Sequence, residues 1–457
     1  HRHYLSRKSL GAGVHRRHQL LYNLVHSYKN RTAGRIPQFC SFPRVHGMKL
    51  VIFHYHLLPG GVTGVIDQMA EAIAEYASSV DTLEIVSGSA ENSQALADRW
   101  KVTVFPEIGY TSRQRLADLA GTSESAVGDR TPGVTTAPSG PVGQVSLQEV
   151  ARGAEVLCNR LVDTLLARWG GDDIVWWVHN HHLGKNPVFT RALARIASDH
   201  PEQRMVLHIH DFPECGRYSN LRFLDAAGAG VRYPQSPAVR YVTINSRDRD
   251  ILSAAGLRDA HYLPNPVRAR AAEPVFSDPQ DTRRRLHHHF ATEFARFAVD
   301  HRLLLYPVRT IRRKNVFEAA LITMLQDDPS SLIVTLPGVS QAEKKYSQMV
   351  QHAFQDGTIP GLWGVGTQLD QAGVSFDQLQ EASDAIVSSS VQEGFGYQFI
   401  TPLLQGKPLI ARRLDVARDV EPLYQDQPHA LYESVVVPAT SPSLSGPQAL
   451  LRFRYTE

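Results

Sequence analysis

The segment SSSVQEGFGYQFITPLLQGKP, residues 388–408, is the most informative part of this sequence about its fold. Serines at 388–390 end a short apolar run, and Glu393 follows in a turn that Gly394 and Gly396 bracket before a helical apolar pattern begins. A carboxylate beside exposed backbone amides at a helix start suits a ligand that joins hydroxyl groups to phosphate. A glycine turn with a capping Glu is the plain structural alternative.

A second segment, YPVRTIRRKN at 306–315, has the same layout of an apolar strand that runs into a polar loop. Arg309 and Lys314 follow the strand with four residues between them. A forked guanidinium and an ammonium together match the concentrated negative charge of a nucleoside diphosphate. A solvated basic loop is the competing interpretation.

A third segment, HYHLLPGGVTGVIDQ at 54–68, runs from a strand through Pro59, Gly60 and Gly61 into a helical pattern. Glycines at a helix start let backbone N–H groups approach an anion. A tight turn explains the glycines equally well.

Short β-rich runs alternate with helical periodicity from residue 48 onward, which predicts doubly wound parallel sheets. We therefore expect an α/β chain with two Rossmann-like domains that face a ligand cleft. The predicted parts are a basic leader at 1–47, an N-terminal acceptor-side domain at 48–270 with a flexible insertion at 110–145, a linker at 271–298, and a donor-binding domain at 299–457. The predicted helices include 147–169 and 188–197, and the predicted strands include 50–55, 173–178, 205–210, 241–245, 303–308, 332–336, 385–388 and 408–411.

The ordered set PGGV, HDF, YLPNPV, RTIRRKN and EGFG followed by GKP, spread over residues 48–415, resembles the retaining glycosyltransferases of family 4 with the GT-B fold. The resemblance implies a metal-independent hexosyltransferase that uses a nucleoside diphosphate sugar as co-substrate and no other cofactor. It also implies diphosphate binding by Arg309 and Lys314, and contact of Glu393 with the donor sugar.

The sequence motifs and the resemblance together give the following candidate residues. The catalytic residues are His210, Glu393, Arg309 and Lys314. The donor-binding residues are Gly60, Gly61, Asn265, Arg309, Lys314, Glu393, Gly394, Phe395, Gly396, Tyr397 and Thr401. His210 is expected to hydrogen-bond a hydroxyl of the donor sugar.

Thr401 is a departure from the family pattern, which has a second Glu eight positions after the first to hold the ribose hydroxyls. A hydroxyl donates one hydrogen bond where a carboxylate accepts two. Ribose binding is therefore weaker, moved to another residue or suited to an unusual donor, and a degenerate, non-catalytic sugar-nucleotide-binding protein stays open as an alternative. A GT-B sugar-nucleotide epimerase is another, because fold alone does not settle the reaction.

Histidines gather at strand ends in the N-terminal half. His208 and His210 alternate along one strand and so share a face, which raises a metal-site hypothesis, but no ligand motif such as HExxH accompanies them. We expect no metal there. His54, His179 and His208 are interpreted as buried, hydrogen-bonded core residues. The acceptor side is assigned by position to His182, Lys185, Asp211 and Arg217.

The amino-acid composition limits the classes of molecule that this chain is expected to bind. The chain has 457 residues, 42% hydrophobic and 20% charged, which is typical of globular domains. Residues 1–47 hold nine Lys or Arg and no acidic residue, and the remainder has 39 basic against 45 acidic residues, so nucleic-acid binding loses its support. Three dispersed cysteines favour a reducing, cytoplasmic location. The expected acceptor is a lipid-linked, saccharide or small polyol hydroxyl, with peripheral contact at the inner membrane face left open.

Overall fold

The computed structural model describes residues 47–121, 146–257, 260–267, 278–438 and 450–453. The predicted leader lies outside these residues except for Gly47, and the predicted insertion lies outside them from residue 122 to 145. The chain divides into two compact units, of which the first comprises 1–242 with 266–269 and the second comprises 243–265 with 270–457.

The first sheet has seven strands in the order β3-β2-β1-β4-β5-β6-β7, and the pairs of its first five strands are parallel. Its strands are β1 Met48–His54, β2 Val80–Ser87, β3 Lys101–Val104, β4 Ile174–His179, β5 Arg204–Ile209, β6 Val239–Thr243 and β7 Ala260–Tyr262. The helices between them are α1 Gly61–Tyr76, α2 Gln94–Ala97, α3 Arg113–Gly121, α4 Leu147–Trp169, α5 Pro187–Asp199, α6 Tyr218–Ala226 and α7 Ser246–Ala254. The unit boundary falls inside β6.

The second sheet has six parallel strands in the order β10-β9-β8-β11-β12-β13. Its strands are β8 Arg302–Arg309, β9 Ser330–Leu336, β10 Gly361–Trp363, β11 Ala385–Ser388, β12 Leu409–Arg412 and β13 His429–Tyr432, and β14 Val435–Pro438 pairs separately with β15 Leu450–Phe453. The helices are α8 Pro279–Phe290, α9 Val316–Met324, α10 Gln341–Gln355, α11 Phe376–Ala382 and α12 Tyr397–Gln405. The predicted fold class of two parallel-sheet α/β domains is confirmed.

Local sequence signals explain where the main helices begin. Ser146 caps α4 in a capping box with Glu149, so two backbone N–H groups of the first turn are satisfied. Asn186 caps α5 ahead of Pro187, whose missing N–H costs nothing at the first helical position. The central strands β1, β8 and β11 are buried over most of their length, as parallel strands covered on both faces must be.

The segment predicted as a linker, 271–298, differs from that prediction. Residues 279–290 form α8, whose Leu286 and Phe290 lie in the hydrophobic core of the second unit. Arg283 anchors the same helix through hydrogen bonds of 3.1 and 2.8 Å to the Ala382 carbonyl. The many charged residues of α8 hide its apolar face from a periodicity argument. The predicted insertion likewise begins with an ordered helix, α3, which packs on α4.

No helix among the described residues is long and apolar enough to cross a membrane.

Candidate functional site

The loops after β8 and β11 lie side by side because these strands are neighbours in the second sheet. Both strands run in the same direction, so their carboxyl ends meet at one edge. β8 ends at Arg309 and continues through the 3-10 turn Arg312–Lys314, while β11 ends at Ser388 and continues to Glu393. Two predicted donor-binding segments, 79 residues apart, are thus brought together.

Hydrogen bonds between these two loops fix the backbone of Lys314. The Val391 N–H donates to the Arg313 carbonyl at 2.9 Å, and the Ser389 hydroxyl lies 3.1 Å from the Lys314 carbonyl. The Tyr306 hydroxyl donates to the same carbonyl at 2.7 Å, so its contact with Ser390 at 2.9 Å must be one in which Ser390 donates. Lys314 is therefore held in place before any ligand arrives.

The side chains of Lys314 and Glu393 form an ion pair in which both are about nine-tenths buried, with 11% and 10% of their side-chain surface exposed. Arg313 places a second cation 3.5 Å from the other carboxylate oxygen. Burial lowers the pKa of Lys314 below its ordinary value, although the charge of Glu393 opposes that effect. An ammonium with so little water around it interacts strongly with an anion that reaches it.

Arg309 stands apart from this pair. Its side chain is exposed, and among the described residues it has no hydrogen-bond or ion-pair partner. Its charge is felt at Glu343, where partial burial works to raise the pKa but backbone hydrogen bonds at 339–340 and the Arg309 charge lower it below the usual value. Arg309 is thus a free guanidinium at the end of β8, available to a ligand.

The glycine turn leads from Glu393 into α12. Gly396 has a left-handed backbone (φ 79°) and occupies the N-cap position, with no side chain capping the helix. The Asn245 side chain donates to the Gly394 carbonyl at 3.0 Å, which orients the turn. The rings of Phe395 and Tyr397 meet edge to face at 5.0 Å. No described side chain caps this helix start, which leaves it suited to an anion.

Asn265 lies close to the same turn. Burial raises the pKa of Tyr397 to about 12, while a hydrogen bond with the Asn265 side chain lowers it in part. The Asn265 Oδ1 atom is buried and has no hydrogen-bond partner among the described residues. A buried carbonyl oxygen without a donor is uncommon and marks a position where a ligand or water donates.

Thr401 lies on α12, and its hydroxyl donates to the Tyr397 carbonyl one turn earlier at 3.1 Å. That bond uses the only proton of the side chain. Thr401 can still accept a hydrogen bond, but it cannot replace the two acceptors of a carboxylate.

Gly60 and Gly61 lie in the first unit at the start of α1. Gly60 is extended (φ 172°), which any residue adopts, and a Cβ on Gly61 would meet no atom within 4 Å. Neither backbone strain nor packing among the described residues requires glycine here. The predicted ligand contact of these glycines and the plain tight turn therefore both stay open.

The four residues assigned to the acceptor side belong to the first unit, and the structure brings three of them into direct contact. Arg217 pairs with the Asp211 carboxylate, with its Nε at 3.1 Å, and the His182 Nε2 lies 2.8 Å from the Asp211 carbonyl. Lys185 lies over the ring of Tyr110 at 5.1 Å. Burial first, and then the charge of Arg217, lower the pKa of Lys185. Two cations and one carboxylate leave this group with a net positive charge.

The histidines at the ends of β4 and β5 form a stack. The rings of His208 and His210 lie 4.2 Å apart between centroids, and His179 stands 4.8 and 5.1 Å from them. The Nδ1 of His179 is 2.9 Å from the Nε2 of His210, and Trp177 donates to the Nδ1 of His208 at 3.2 Å. The Nε2 atoms of His179 and His208 are buried without a partner among the described residues, so the interpretation of both rings as fully hydrogen-bonded needs correction.

Burial holds all three rings in their neutral forms. It lowers the pKa of His208 to about 3, and it lowers the pKa values of His179 and His210 well below the ordinary value with help from neighbouring imidazoles. One nitrogen of each ring lies within 4.8 Å of the others, a spacing that a metal ion could draw together.

Three contributors were absent from the sequence prediction. Arg313 contacts Glu393, Asn245 orients Gly394, and Trp177 contacts His208. Asn245 also caps α7 by accepting from the Asp248 N–H at 2.7 Å. The position of Asn245 one residue before a helix was a signal for capping, but no sequence signal pointed to its contact 149 residues away.

The chain can be compared with known proteins in sequence and in fold. No family model matches the chain. Mannosylglucosyl-3-phosphoglycerate synthase from Petrotoga mobilis is 28% identical over 378 residues, which are 81% of this chain and 66% of that protein. The match thus spans slightly less than two thirds of the relative.

Solved structures resemble the chain over most of its length. Sucrose-phosphate synthase from Thermosynechococcus elongatus has a TM-score of 0.51 at 10% identity and covers 84% of this chain and 85% of its own. This chain has the GT-B fold. The GT-B protein HepE from Anabaena, solved in complex with UDP, gives 0.50 at 14% identity with 84% and 85% coverage, and TarM gives 0.50 at 13% with 87% and 90%. These identities establish the GT-B fold alone, and assignment to family 4 stays a prediction.

Proposed function

We propose that this chain is a glycosyltransferase that moves a hexosyl group from a nucleoside diphosphate sugar to an acceptor hydroxyl, with retention at the anomeric carbon. The observation that carries the proposal is the group at the ends of β8 and β11, where Lys314 is held beside Glu393 and Arg309 has no partner among the described residues. A diphosphate would bind the two cations, and the carboxylate would accept from sugar hydroxyls.

The comparisons support a nucleotide-sugar donor. The relative from Petrotoga mobilis is named for the synthesis of a mannosyl and glucosyl product, and HepE was solved with UDP. Two basic groups, together with a start of α12 that no described side chain caps, suit the same chemistry.

Departure of the diphosphate builds negative charge on the leaving oxygen. Lys314, Arg309 and the amides near Gly396 would stabilise that charge through fixed dipoles and cations, which is electrostatic preorganisation. The leaving phosphate would itself accept the proton of the acceptor hydroxyl. Neutral His210 would hydrogen-bond the sugar and take no part as a base, because its pKa lies well below neutrality.

For the acceptor we propose a small hydroxy compound that carries phosphate or carboxylate. Lys185 and Arg217 place two cations near one carboxylate in the first unit, and the name of the relative contains 3-phosphoglycerate. Of the three acceptor classes expected from the sequence, a small anionic polyol uses this charge best.

Calorimetric titration of the full chain with UDP-, GDP- and ADP-sugars tests the donor site. An Arg309→Ala variant should weaken the preferred donor at least tenfold, since a charge-assisted bidentate contact is lost. Arg312→Ala is the matched control, because it removes the same charge three residues away from another exposed position. Equal weakening in both variants, or no binding to any donor, would reject the assignment.

Turnover is tested with each donor, with glucosyl-3-phosphoglycerate as the anionic acceptor and with glucosylglycerol, which has neither phosphate nor carboxylate, as its uncharged counterpart. Product from the anionic acceptor alone supports the full proposal.

Thr401 favours one second candidate, a non-catalytic nucleotide-sugar-binding protein, because its hydroxyl is already committed to the Tyr397 carbonyl. Donor binding without sugar transfer to any acceptor would select that candidate.

A further inference from the structure

The stacked imidazoles at the ends of β4 and β5 have protons whose positions can be deduced one by one. The deduction starts at Trp177, whose indole N–H can only donate. It lies 3.2 Å from the Nδ1 of His208, so this nitrogen must accept. His208 is neutral, because burial lowers its pKa to about 3, and its single ring proton is therefore on Nε2.

This first step removes His208 as a metal ligand. With Nδ1 engaged by Trp177 and Nε2 protonated, the ring has no lone pair to offer, although its position beside His179 and His210 has the spacing of a three-histidine site. A metal ligand must present a lone pair, usually with the other ring nitrogen donating to a carbonyl or carboxylate.

The second step concerns His179. Its Nε2 is buried without a partner, and so is the protonated Nε2 of His208 on the neighbouring ring, 4.8 Å away between centroids. A proton on His179 Nε2 would leave two buried N–H groups unpaired side by side. Orphaned buried N–H groups are rarer than under-used acceptors. A proton on Nδ1 instead leaves Nε2 of His179 as an unused acceptor, so that only the His208 N–H is unpaired among these rings.

The third step passes to His210. The Nδ1–H of His179 then donates to the His210 Nε2 at 2.9 Å. His210 is neutral, so the nitrogen that carries its proton is Nδ1. The ring cannot turn freely, because it stacks on His208 at 4.2 Å and its backbone N–H is bound by the Asn180 side chain at 2.9 Å.

We propose that Trp177, His208 and His179 are positioning residues that fix the tautomer of His210, so that its Nδ1–H is presented as a hydrogen-bond donor to the ligand. Trp177 donates to His208 and His179 donates to His210, while the Nε2 atoms of His208 and His179 have no hydrogen-bond partner among the described residues. The inference rests on the proposed function for the statement that a sugar meets His210. A donor there fits a sugar hydroxyl oxygen and excludes His210 as the base that deprotonates the acceptor.

Histidine-selective ¹⁵N labelling of the full chain tests the protons without any reaction. Long-range ¹H–¹⁵N correlation spectra at pH 7.5 distinguish the two neutral tautomers of each ring. We expect Nε2–H for His208 and Nδ1–H for His179 and His210. Nδ1–H in His208, or Nε2–H in His210, would overturn the proposal even if the protein proves to be a glycosyltransferase.

Variants test the dependence of His210 on its neighbours. Trp177→Phe keeps the ring but removes the indole N–H, so His208 should populate both tautomers. Trp100→Phe is the matched control, because it removes an indole N–H that donates to Asp67 at 2.9 Å in the same unit. Equal spectra in the two variants would contradict the proposal.

Two substitutions of His179 allow a rescue experiment on the tautomer of His210. The amide of an Asn places a donor near the position of the imidazole Nδ1, so His179→Asn should keep Nδ1–H in His210, whereas His179→Leu should not. In the transfer reaction His179→Leu should lower kcat about five- to tenfold with a smaller change in KM, the scale of one hydrogen bond that strengthens in the transition state. Equal loss in both variants would argue for a purely structural role.

Metal binding at the stacked rings is the remaining test of the proposal. Purified full-length protein, dialysed and then titrated with Zn²⁺ and Co²⁺, should bind neither ion at the stacked rings. One equivalent of metal that is lost in His208→Leu would replace this proposal with a metal site. If donor titration fails while the three tautomers are as stated, the proposed function falls and the proton assignment stands.

Discussion

Lys314 and Glu393 form a nearly buried ion pair across the ends of two adjacent parallel strands, although 79 residues separate them in the chain. Each partner is predicted to bind a different part of the donor, Lys314 the diphosphate and Glu393 the sugar. In the ligand-free protein each neutralises the other. A bound donor would still balance both charges, because its diphosphate would contact Lys314 and its sugar hydroxyls would contact Glu393.

The pair predicts unequal costs for single and double substitutions. Lys314→Met leaves a buried carboxylate with only Arg313 nearby and should lower the free energy of unfolding by about 3 kcal/mol. Glu393→Gln should cost less, because the amide oxygen of Gln can still accept a hydrogen bond from the Lys314 ammonium. The double variant should be more stable than Lys314→Met alone, which urea denaturation measures. Additive single effects would show that the two charges do not interact in solution.

A second prediction concerns Gly396, where a left-handed backbone (φ 79°) and a close ring coincide. A Cβ there would meet the Phe399 ring at 3.0 Å. Gly396→Ala should destabilise the chain by about 1–2 kcal/mol and displace the start of α12, so donor affinity should fall. Gly406→Ala is the control, since Gly406 is also left-handed (φ 63°) at the opposite end of α12. It should lower stability and leave donor affinity unchanged.

Much of this architecture follows from local pattern. The helix at 147–169 and the strand at 385–388 have the bounds that periodicity predicts, and each donor segment follows its strand as expected. The strands at 80–87 and 101–104 lack a comparable signal, because exposed polar and charged residues interrupt their apolar positions.

Long-range pairing explains what the sequence could not predict. Residues 243–265 belong by sequence order to the N-terminal half, but they group with the second unit. Ser246 binds Asp419, Arg247 lies 2.8 Å from Asp415, and Arg418 pairs with Asp250. These partners stand about 170 residues apart and consist of common surface residue types, so neither spacing nor composition identifies them. The contacts among the stacked imidazoles could not be predicted either, because the order of the strands in the sheet determines which histidines are neighbours.

Thr401 gives a third prediction. If the family pattern applies, Thr401→Glu should restore two acceptors for the ribose hydroxyls and tighten nucleotide-sugar binding about fivefold or more. The cost is one backbone hydrogen bond of 3.1 Å to Tyr397, which the helix tolerates. Thr401→Gln, similar in size but uncharged, is the control. Calorimetry that finds Glu no better than Gln would mean that the ribose is held elsewhere.

The buried imidazoles also set a pH dependence of stability. Burial lowers the pKa of His54 and of His208 to about 3, and the pKa values of His179 and His210 are lowered well below 6.5. Between those values and 6.5 the unfolded chain binds protons that the folded chain excludes. Stability is therefore complete above pH 6.5 and is lost as the pH falls, by about 1.4 kcal/mol per pH unit for each such ring.

Urea denaturation of the first unit between pH 7.5 and 4.5 measures this slope. We expect a fall steeper than one proton per pH unit, with a slope about one proton smaller in His208→Gln, since that ring no longer takes up a proton on unfolding. His200→Gln removes an exposed imidazole of the same unit and serves as the matched variant. A free energy of unfolding that stays level from pH 6.5 to 5 would mean that the rings are charged or hydrated in the folded protein. The proton assignment that makes His210 a donor would then fail as well, because it requires neutral imidazoles.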